Sequence, residues 1–278
     1  MMIIGERINA SRKSVREAVA GRDGGAIADV ARRQVECGAA MLDVNAGGDP
    51  ERETEDLVWL VGRVLEAVRA PLCLDSSSPE TLRAGIEEVL RVVPEGAGGF
   101  GGGAPWVLVN SVSGEEERYS GILPLLKEYD VSVIGLCLGD EGMPESAEAR
   151  VGAAVSLVER LAGDGVAEER IFLDPLVVPV GVNPAGGMDL LAAMRAIRER
   201  LPGVKLVCGL SNVSYGLPDR ALLNRTFLAM AAAAGLGAVI ADPLNEEMMK
   251  AIRASLALTG RDEFCAGYIR DYRRRTGG

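Results

Sequence analysis

The chain has 278 residues, of which 48% are hydrophobic, and a formal net charge of -10. This length is typical of one (β/α)8 barrel, so a single domain spanning the whole chain is expected, and the acidic balance argues against a nucleic-acid partner, which requires a basic face. The sequence contains no histidine, which excludes Ser-His-Asp and Cys-His catalytic arrangements and every histidine metal site.

The chain alternates between short apolar runs and amphipathic segments with helical spacing. The apolar runs predict strands at 2–5, 40–44, 72–74, 106–109, 131–138, 171–173, 206–208 and 238–241. The helical segments lie at 26–36, 53–68, 79–92, 115–129, 147–161, 188–199, 221–233 and 246–256, and a basic helical extension is expected at 264–274. Gly38 is a plausible helix stop and Ser78 a plausible N-cap.

Eight strand–helix units in strict alternation predict a parallel sheet, and their number predicts a closed (β/α)8 TIM barrel. A doubly wound open sheet is the alternative, but no G-x-G-x-x-G follows the first strand. The one low-complexity segment, the Gly-rich insert 94–105, joins a helix to a strand. It is therefore expected on the face opposite the site, with no catalytic role.

Acidic or amide residues follow seven of the eight predicted strands. They are Glu6 and Asn9, Asp43 and Asn45, Asp75, Asn110, Asp174, Asn212, and Asp242. Some of these residues are expected to be only helix N-caps, but several come directly after a strand and well before the next helix. Because the carboxyl ends of parallel strands meet at one face, where barrel enzymes place their sites, we expect a polar ring there.

The four lysines of the chain all lie away from the carboxyl ends of the predicted strands, which disfavours a Schiff-base aldolase. A ring of carboxylates and amides suits a flat heterocycle with a mixed donor and acceptor edge. A carboxylate can accept two parallel N–H bonds from a 2-amino-pyrimidinone edge, and an asparagine can both donate and accept.

The five cysteines, at 37, 73, 137, 208 and 265, are widely spaced and form no C-x-x-C pair. Reduced, buried thiols are expected, rather than disulfides or structural zinc, and we predict no metal bound by this chain. The N-terminus lacks a signal-peptide pattern, and no apolar stretch is long enough to span a bilayer. A cytoplasmic protein without a membrane partner is expected.

Several motifs resemble those of the methyltetrahydrofolate:corrinoid protein methyltransferases, whose pterin-binding barrel is shared with dihydropteroate synthase and the folate domain of cobalamin-dependent methionine synthase. They are IIGERIN at 3–9, ARRQVECGAAMLDVNAG at 31–47, LCLDS at 72–76, VNS at 109–111, LDPL at 173–176, GLSNVS at 209–214 and NRTFLAM at 224–230. The resemblance runs nearly end to end. The Gly-rich insert departs from the family pattern.

The resemblance implies specific roles for the matched residues. Asp75, Asn110 and Asp174 are implied to hold the pterin ring, and Asn212 is implied to be the catalytic amide that reaches N5, the atom bearing the methyl group. Gly209 and Ser211 of the GLSN motif belong to the same implied substrate site, and Arg220 matches an arginine near the folate tail. Tyr215 stands where better-known members have a glutamine.

The function implied is methyl transfer between methyltetrahydrofolate and the cobalt of a corrinoid (cobalamin) carried by a partner protein, with the chain as a homodimer. One alternative is a dihydropteroate synthase-like enzyme, which would want a lysine near the seventh strand tip and an Arg-x-His near the eighth; neither is present. The other is a folate-binding subunit of a larger complex without catalysis of its own.

Overall fold

The structure of the chain is a computed structural model that describes residues 1–93 and 106–276. Within these ranges the strands are β1 (Met2–Asn9), β2 (Met41–Asn45), β3 (Leu72–Asp75), β4 (Val107–Ser113), β5 (Ser132–Leu136), β6 (Ile171–Asp174), β7 (Lys205–Leu206) and β8 (Ala238–Ala241). The helices are α1 (Lys13–Ala20), α2 (Gly24–Glu36), α3 (Glu53–Ala67), α4 (Pro79–Val92), α5 (Glu116–Glu128), α6 (Ala147–Gly163), α7 (Gly186–Arg200), α8 (Arg220–Ala233), α9 (Glu246–Leu258) and α10 (Ala266–Thr276).

All eight strands are parallel and lie in the order β7-β6-β5-β4-β3-β2-β1-β8. Two backbone bonds join the outer strands: Gly237 N–H donates to Leu206 O at 2.9 Å, and Ile240 N–H donates to Cys208 O at 3.1 Å. These bonds close the sheet, which confirms the predicted (β/α)8 barrel and makes the open-sheet alternative wrong.

The barrel interior is filled by a layer of eight buried side chains, one from each strand or, for β7, from the residue directly after it. This buried cluster consists of Ile4, Met41, Cys73, Leu108, Ile134, Phe172, Val207 and Ala238. A second, larger cluster lies between the strands and the helices around them. Because side chains alternate between the two faces of a strand, residues two positions further along each strand also point inward, at the carboxyl end.

The predicted strict alternation is wrong at the first unit, where two helices follow β1, because the unpredicted α1 buries Val15 and Val19. The helical extension expected at 264–274 is confirmed by α10. β1 also extends through Glu6 and Asn9, which the sequence pattern assigned to a loop; pairing with β2 resumes at Ile8 after a shift in register. The two smaller predictions are confirmed: Ser78 accepts a bond from Thr81 N–H at 3.1 Å, and Gly38 follows α2 with a positive φ.

Two further strand boundaries differ from expectation. β4 continues past Asn110 to Ser113, so Asn110 lies inside a strand rather than after it, and the Asn110–Ser111 peptide bond is cis. β7 is shorter than expected, and residues 210–214 form a 3-10 turn instead of an open loop. The Gly-rich segment 94–105 lies outside the described residues, so its place in the fold stays a prediction.

Candidate functional site

The inward positions at the carboxyl end of the barrel form a mostly polar ring. Two positions after each residue of the interior layer, the chain has a second inward-facing residue. From β1 to β8 these residues are Glu6, Asp43, Asp75, Asn110, Leu136, Asp174, Gly209 and Ile240. Five of the eight positions carry a carboxylate or an amide. The polar ring predicted from the strand ends is therefore a consequence of the barrel register, and it brings Asp75, Asn110 and Asp174 to one opening.

Asp75 and Asn110 are register partners on the neighbouring strands β3 and β4. Asn45, from the end of β2, donates its Nδ2–H to Asp75 Oδ2 at 2.9 Å. Burial raises the pKa of Asp75, while the hydrogen bond from Asn45 and the charge of Arg118 lower it and the charge of Glu53 raises it. Asp75 thus accepts a structural bond on one oxygen and keeps its other oxygen available for a ligand.

Asp43 lies deeper than Asp75, with only 3% of its surface exposed. Its pKa is raised well above the ordinary range by burial and then by the charge of Asp75, with hydrogen bonds from Cys73 and Asn110 acting in the opposite direction and Glu6 adding to the increase. Its buried Oδ1 makes no hydrogen bond with any described residue. Sequence reasoning placed Asp43 in the ring without a role; its position between Leu42 and Val44 in a buried strand was the available signal of a carboxyl that holds a proton.

Asp174 ends β6 and faces the same opening. Burial raises its pKa to about 6, and the backbone N–H groups of Leu176 and Gly209 lower it in part. Leu176 N–H donates to Asp174 Oδ1 at 2.8 Å. At neutral pH this carboxylate is ionised but incompletely compensated by the protein, so it can accept N–H bonds from a ligand.

Asn212 lies on the 3-10 turn 210–214 and folds back over the end of β7. A Cβ atom built on Gly209 would lie 3.7 Å from Asn212 Nδ2, so the amide stands directly above the inward position that Gly209 leaves open. Asn212 itself is exposed, and its side chain makes no hydrogen bond within the part of the chain that the structure describes. The structure therefore brings this amide to the same opening as Asp174.

The turn that carries Asn212 is fixed from α8. Arg220, the first residue of that helix, donates to Ser211 O at 2.7 Å and to Ser214 Oγ at 3.1 Å. Ser214 is fully buried and donates to Asn224 Oδ1 at 2.7 Å. Arg220, which sequence reasoning placed just before the helix, thus also has a structural role in holding the turn.

A cavity of about 390 Å³ lies beside this turn, between the ends of β8, β1 and α8. Its lining includes Glu6, Arg12, Ser211, Arg220 and Asp242. The Tyr215 ring is 69% exposed and its centroid lies 5.9 Å from the Arg220 guanidinium carbon. Tyr215 therefore stands beside the turn at the rim of the opening rather than inside the ring.

Besides Asn45, three further members of the predicted ring are engaged by the protein itself. Glu6 pairs with Arg12 at 3.3 Å, and Asp242 pairs with Arg7 at 3.0 Å. Asn9 accepts a bond from Ser11 N–H at 2.9 Å, which is a turn bond. These residues shape the edge of the opening, and oxygen atoms that can still accept a bond from a ligand lie at Asp75, Asn110 and Asp174.

Sequence reasoning missed Arg118 of α5. Its Nε–H donates to Ser111 O at 2.7 Å and one Nη to Ser76 O at 2.9 Å, and the other Nη donates to Ser77 O. Each acceptor lies next to, or close to, a residue of the ring. The signal available in the sequence was an arginine near the start of the helix that follows the VNS motif.

All five cysteines are free, as expected, but only those at 73, 137 and 208 are buried; Cys265 is exposed and Cys37 is half-buried. Within residues 1–93 and 106–276, no group of three or more acidic or cysteine side chains is arranged to hold a metal ion. In the same ranges no helix has both the length and the apolar character needed to cross a membrane.

The chain is similar in sequence to proteins of known activity. The chain is 34% identical over 276 residues to the methylcorrinoid:tetrahydrofolate methyltransferase of Eubacterium limosum, with 99% of this chain and 97% of that protein covered. It is 30% identical over 253 residues to the methionine synthase of Mycobacterium tuberculosis (strain ATCC 25618 / H37Rv), with 86% of this chain and 20% of that protein covered.

Solved structures with a similar fold include dihydropteroate synthases. That of Yersinia pestis has a TM-score of 0.64 at 17% identity, covering 93% of each chain. That of Xanthomonas albilineans, in complex with 7,8-dihydropteroate, has a TM-score of 0.63 at 22% identity, covering 92% of this chain and 93% of the other. Residues 5–242 match the family described as pterin binding enzymes, and the chain therefore belongs to that family.

Proposed function

We propose that the chain is a methyltransferase that moves a methyl group between N5 of methyltetrahydrofolate and a corrinoid carried by a partner protein. The observation that carries this proposal is the free amide of Asn212 standing over Gly209, at the same opening as the incompletely compensated carboxylate of Asp174. The near full-length similarity to a methylcorrinoid:tetrahydrofolate methyltransferase supports it. The corrinoid, as the partner's group, supplies the cobalt that accepts or donates the methyl group.

The folate substrate is held through its pterin ring in this proposal. Asp174 accepts the parallel N–H bonds of the 2-amino-pyrimidinone edge, because its carboxylate has accepting capacity beyond the bond from Leu176 N–H. Asp75 and Asn110 grip the ring from β3 and β4, where they are register partners. Gly209 leaves space for the flat ring, since a side chain there would point into the opening.

Asn212 acts on the atom whose charge changes. When the methyl group leaves N5, the electron pair of the C–N bond stays on nitrogen, which needs a proton or a strong hydrogen bond to become an acceptable leaving group. The Asn212 amide can donate to the N5 lone pair or accept from N5–H after rotation. Because the amide has no other hydrogen-bond partner among the described residues, it is free to make either bond.

The folate tail is proposed to leave the opening past Arg220 and Tyr215. Both residues stand beside the turn that carries Asn212, and Arg220 lines the adjacent cavity with Ser211. Two of the guanidinium nitrogens of Arg220 bond the turn, and the third remains for a carboxylate or carbonyl oxygen of the tail.

A homodimer through α8 belongs to the same proposal. The outward face of this helix carries apolar side chains around the exposed Thr226: Leu222 is 53% exposed and Met230 41% exposed, and Ala229 and Ala233 are also exposed. An exposed apolar patch is typical of a protein–protein contact, so we propose that a second copy of the chain covers this face. A cytoplasmic setting is proposed from the free thiols, since an oxidising compartment favours disulfides.

The dihydropteroate synthase alternative is disfavoured by the site. Lys205 begins β7 and lies with its Nζ 5.0 Å from the Phe172 ring, at the other end of that strand from Asn212. No lysine therefore stands at the tip of the seventh strand, and the chain has no histidine for the eighth.

The proposed activity is tested by mixing the protein with reduced cobalamin and methyltetrahydrofolate and recording the absorption spectrum for methylcobalamin. The reverse reaction, from methylcobalamin and tetrahydrofolate, is followed in the same way, and Asp174→Ala serves as the matched control. Folate binding by calorimetry without transfer in either direction would instead favour a binding subunit. Formation of dihydropteroate from a pterin pyrophosphate and 4-aminobenzoate would favour the synthase alternative.

A further inference from the structure

Arg118 bridges the ends of two neighbouring strands. Its guanidinium group bonds the backbone carbonyls of Ser76 and Ser77, which follow β3, and that of Ser111 in β4. Asp75 and Asn110 are the residues immediately before these two segments. A guanidinium group has a rigid fork of donors, so three bonds from one group fix the two strand ends relative to each other.

Arg118 forms no ion pair with any described residue, although the carboxylates of Asp75 and then of Glu115, at the start of its own helix, lie within electrostatic reach. The side chain is half-buried, and its positive charge is directed toward the strand ends. Neutral hydrogen-bond donors could hold the two strand ends together, so the positive charge of Arg118 needs a separate explanation.

We infer that Arg118 is a positioning residue for pterin binding, which holds Asp75 and Asn110 in register through its bonds to the two strand ends and places its positive charge within reach of the Asp75 carboxylate. This inference rests on the proposed function, since the ring it positions is the folate pterin. Three of the five N–H donors of Arg118 bind backbone carbonyls, and we assign it a positioning role rather than a contact with the substrate.

The ionisation of Asp75 depends on several groups around it. Burial and the charge of Glu53, from α3, raise the pKa of Asp75, and the Asn45 bond and the charge of Arg118 lower it. Burial and then the charge of Asp75 raise the pKa of Asp43 on β2, and burial and the charges of Asp43 and Asp75 raise the pKa of Cys73 on β3. Among these groups Arg118 is the cation, so its removal leaves Asp75 facing carboxyl groups, an amide and a thiol.

The experiment compares Arg118→Met and Arg118→Lys with the matched control Arg170→Met. Arg170 also donates to three backbone carbonyls, those of Val131, Leu126 and Tyr129, at 2.7, 2.9 and 3.0 Å. These acceptors lie before β5, at the opposite end of the barrel. The two methionine variants therefore lose the same number of backbone bonds, and only one of them loses a charge near Asp75.

Two readouts are measured for each variant. The first is the dissociation constant of methyltetrahydrofolate across pH 5 to 8; we expect Arg118→Met to weaken binding about tenfold or more at neutral pH, in the range of a lost charged hydrogen bond, and less at higher pH. The second needs no ligand: the carboxyl carbon of Asp75 is titrated by NMR in the free protein, and its pKa should rise in Arg118→Met. Arg118→Lys should restore the Asp75 titration but only part of the affinity.

Arg170→Met should leave both readouts at wild-type values, even where it lowers the unfolding temperature. If Arg118→Met and Arg170→Met give the same Asp75 titration, the inference is overturned, whatever the affinities. If the wild-type chain does not bind methyltetrahydrofolate at all, the proposed function fails together with the positioning role, and the NMR titration then reports only the electrostatic effect.

Discussion

Asp174→Asn should stabilise the free protein at neutral pH while it abolishes tight folate binding. In the folded chain burial raises the pKa of Asp174 to about 6 from an ordinary value of 3.8. The folded state thus binds this proton more tightly than the unfolded state. Between these two pH values stability falls as pH rises, and above pH 6 the ionised carboxylate carries the full cost.

The cost follows from the difference between the two pKa values. Each unit is worth about 1.36 kcal/mol, so a rise from 3.8 to about 6 corresponds to about 2–3 kcal/mol of lost stability above pH 6. Asparagine has nearly the same shape and no charge, but it can accept only with one oxygen. It therefore loses one of the two backbone contacts made by the carboxylate, which costs about 1 kcal/mol.

The measurement is urea unfolding of wild type and Asp174→Asn at pH 4 and pH 7. The lost backbone contact lowers the stability of the variant equally at both pH values. The informative quantity is therefore the free energy of unfolding of the variant minus that of the wild type, which should be about 2–3 kcal/mol larger at pH 7 than at pH 4. Calorimetry with methyltetrahydrofolate should show the opposite effect on affinity. A stability difference that is the same at pH 4 and pH 7 would refute the reasoning, and so would an affinity that the substitution does not lower.

Three further outcomes are expected. Asn212→Ala should lower the single-turnover rate of methyl transfer by about 10²–10³, as when one oriented donor is removed, whereas Asn110→Ala should act mainly on the dissociation constant; stopped-flow traces in which Asn212→Ala changes only affinity would contradict a catalytic role. Gly209→Ala should fold normally, since its methyl would meet Asn212 Nδ2 at an ordinary 3.7 Å, yet bind folate weakly, and unchanged calorimetric affinity would place the ring elsewhere. Leu222→Asp should give a monomer by light scattering, while Leu258→Asp, at a position 86% exposed on α9, should not; a wild-type monomer would remove the dimer proposal.

The barrel could be predicted from the sequence because each strand is a nearly continuous apolar run between amphipathic helices. Buried parallel strands have this pattern since both of their faces are covered. The boundaries were less predictable at the carboxyl ends, where inward side chains face the opening rather than the core. Glu6 and Asn9 in β1, and Asn110 in β4, have loop-like composition for this reason, although they lie within strands.

The ring could be predicted as a set, but the state of its members could not. Asp75, Asp174 and Asp242 look alike in sequence, each directly following a strand. In the structure Asp242 is paired with Arg7, whereas Asp174 is half-buried and no cation acts on its pKa. Side chains from other helices and strands, such as Arg7 and Arg118, determine which of these carboxylates is free to bind a ligand. The sequence around each aspartate does not predict those contacts.

Strand β7 explains why the proposed catalytic amide lies outside the register that places the other ring residues. The inward position after Val207 is Gly209, which brings no side chain into the opening, and Asn212 reaches the same space from a 3-10 turn. That turn is held by Arg220 and Ser214 rather than by a ladder of strand bonds. A carboxylate that only grips the ring is best fixed on a strand, since it binds substrate and transition state equally. An amide that must follow the gain of a proton at N5 has to rotate, and a short turn above an empty glycine position gives it room to do so.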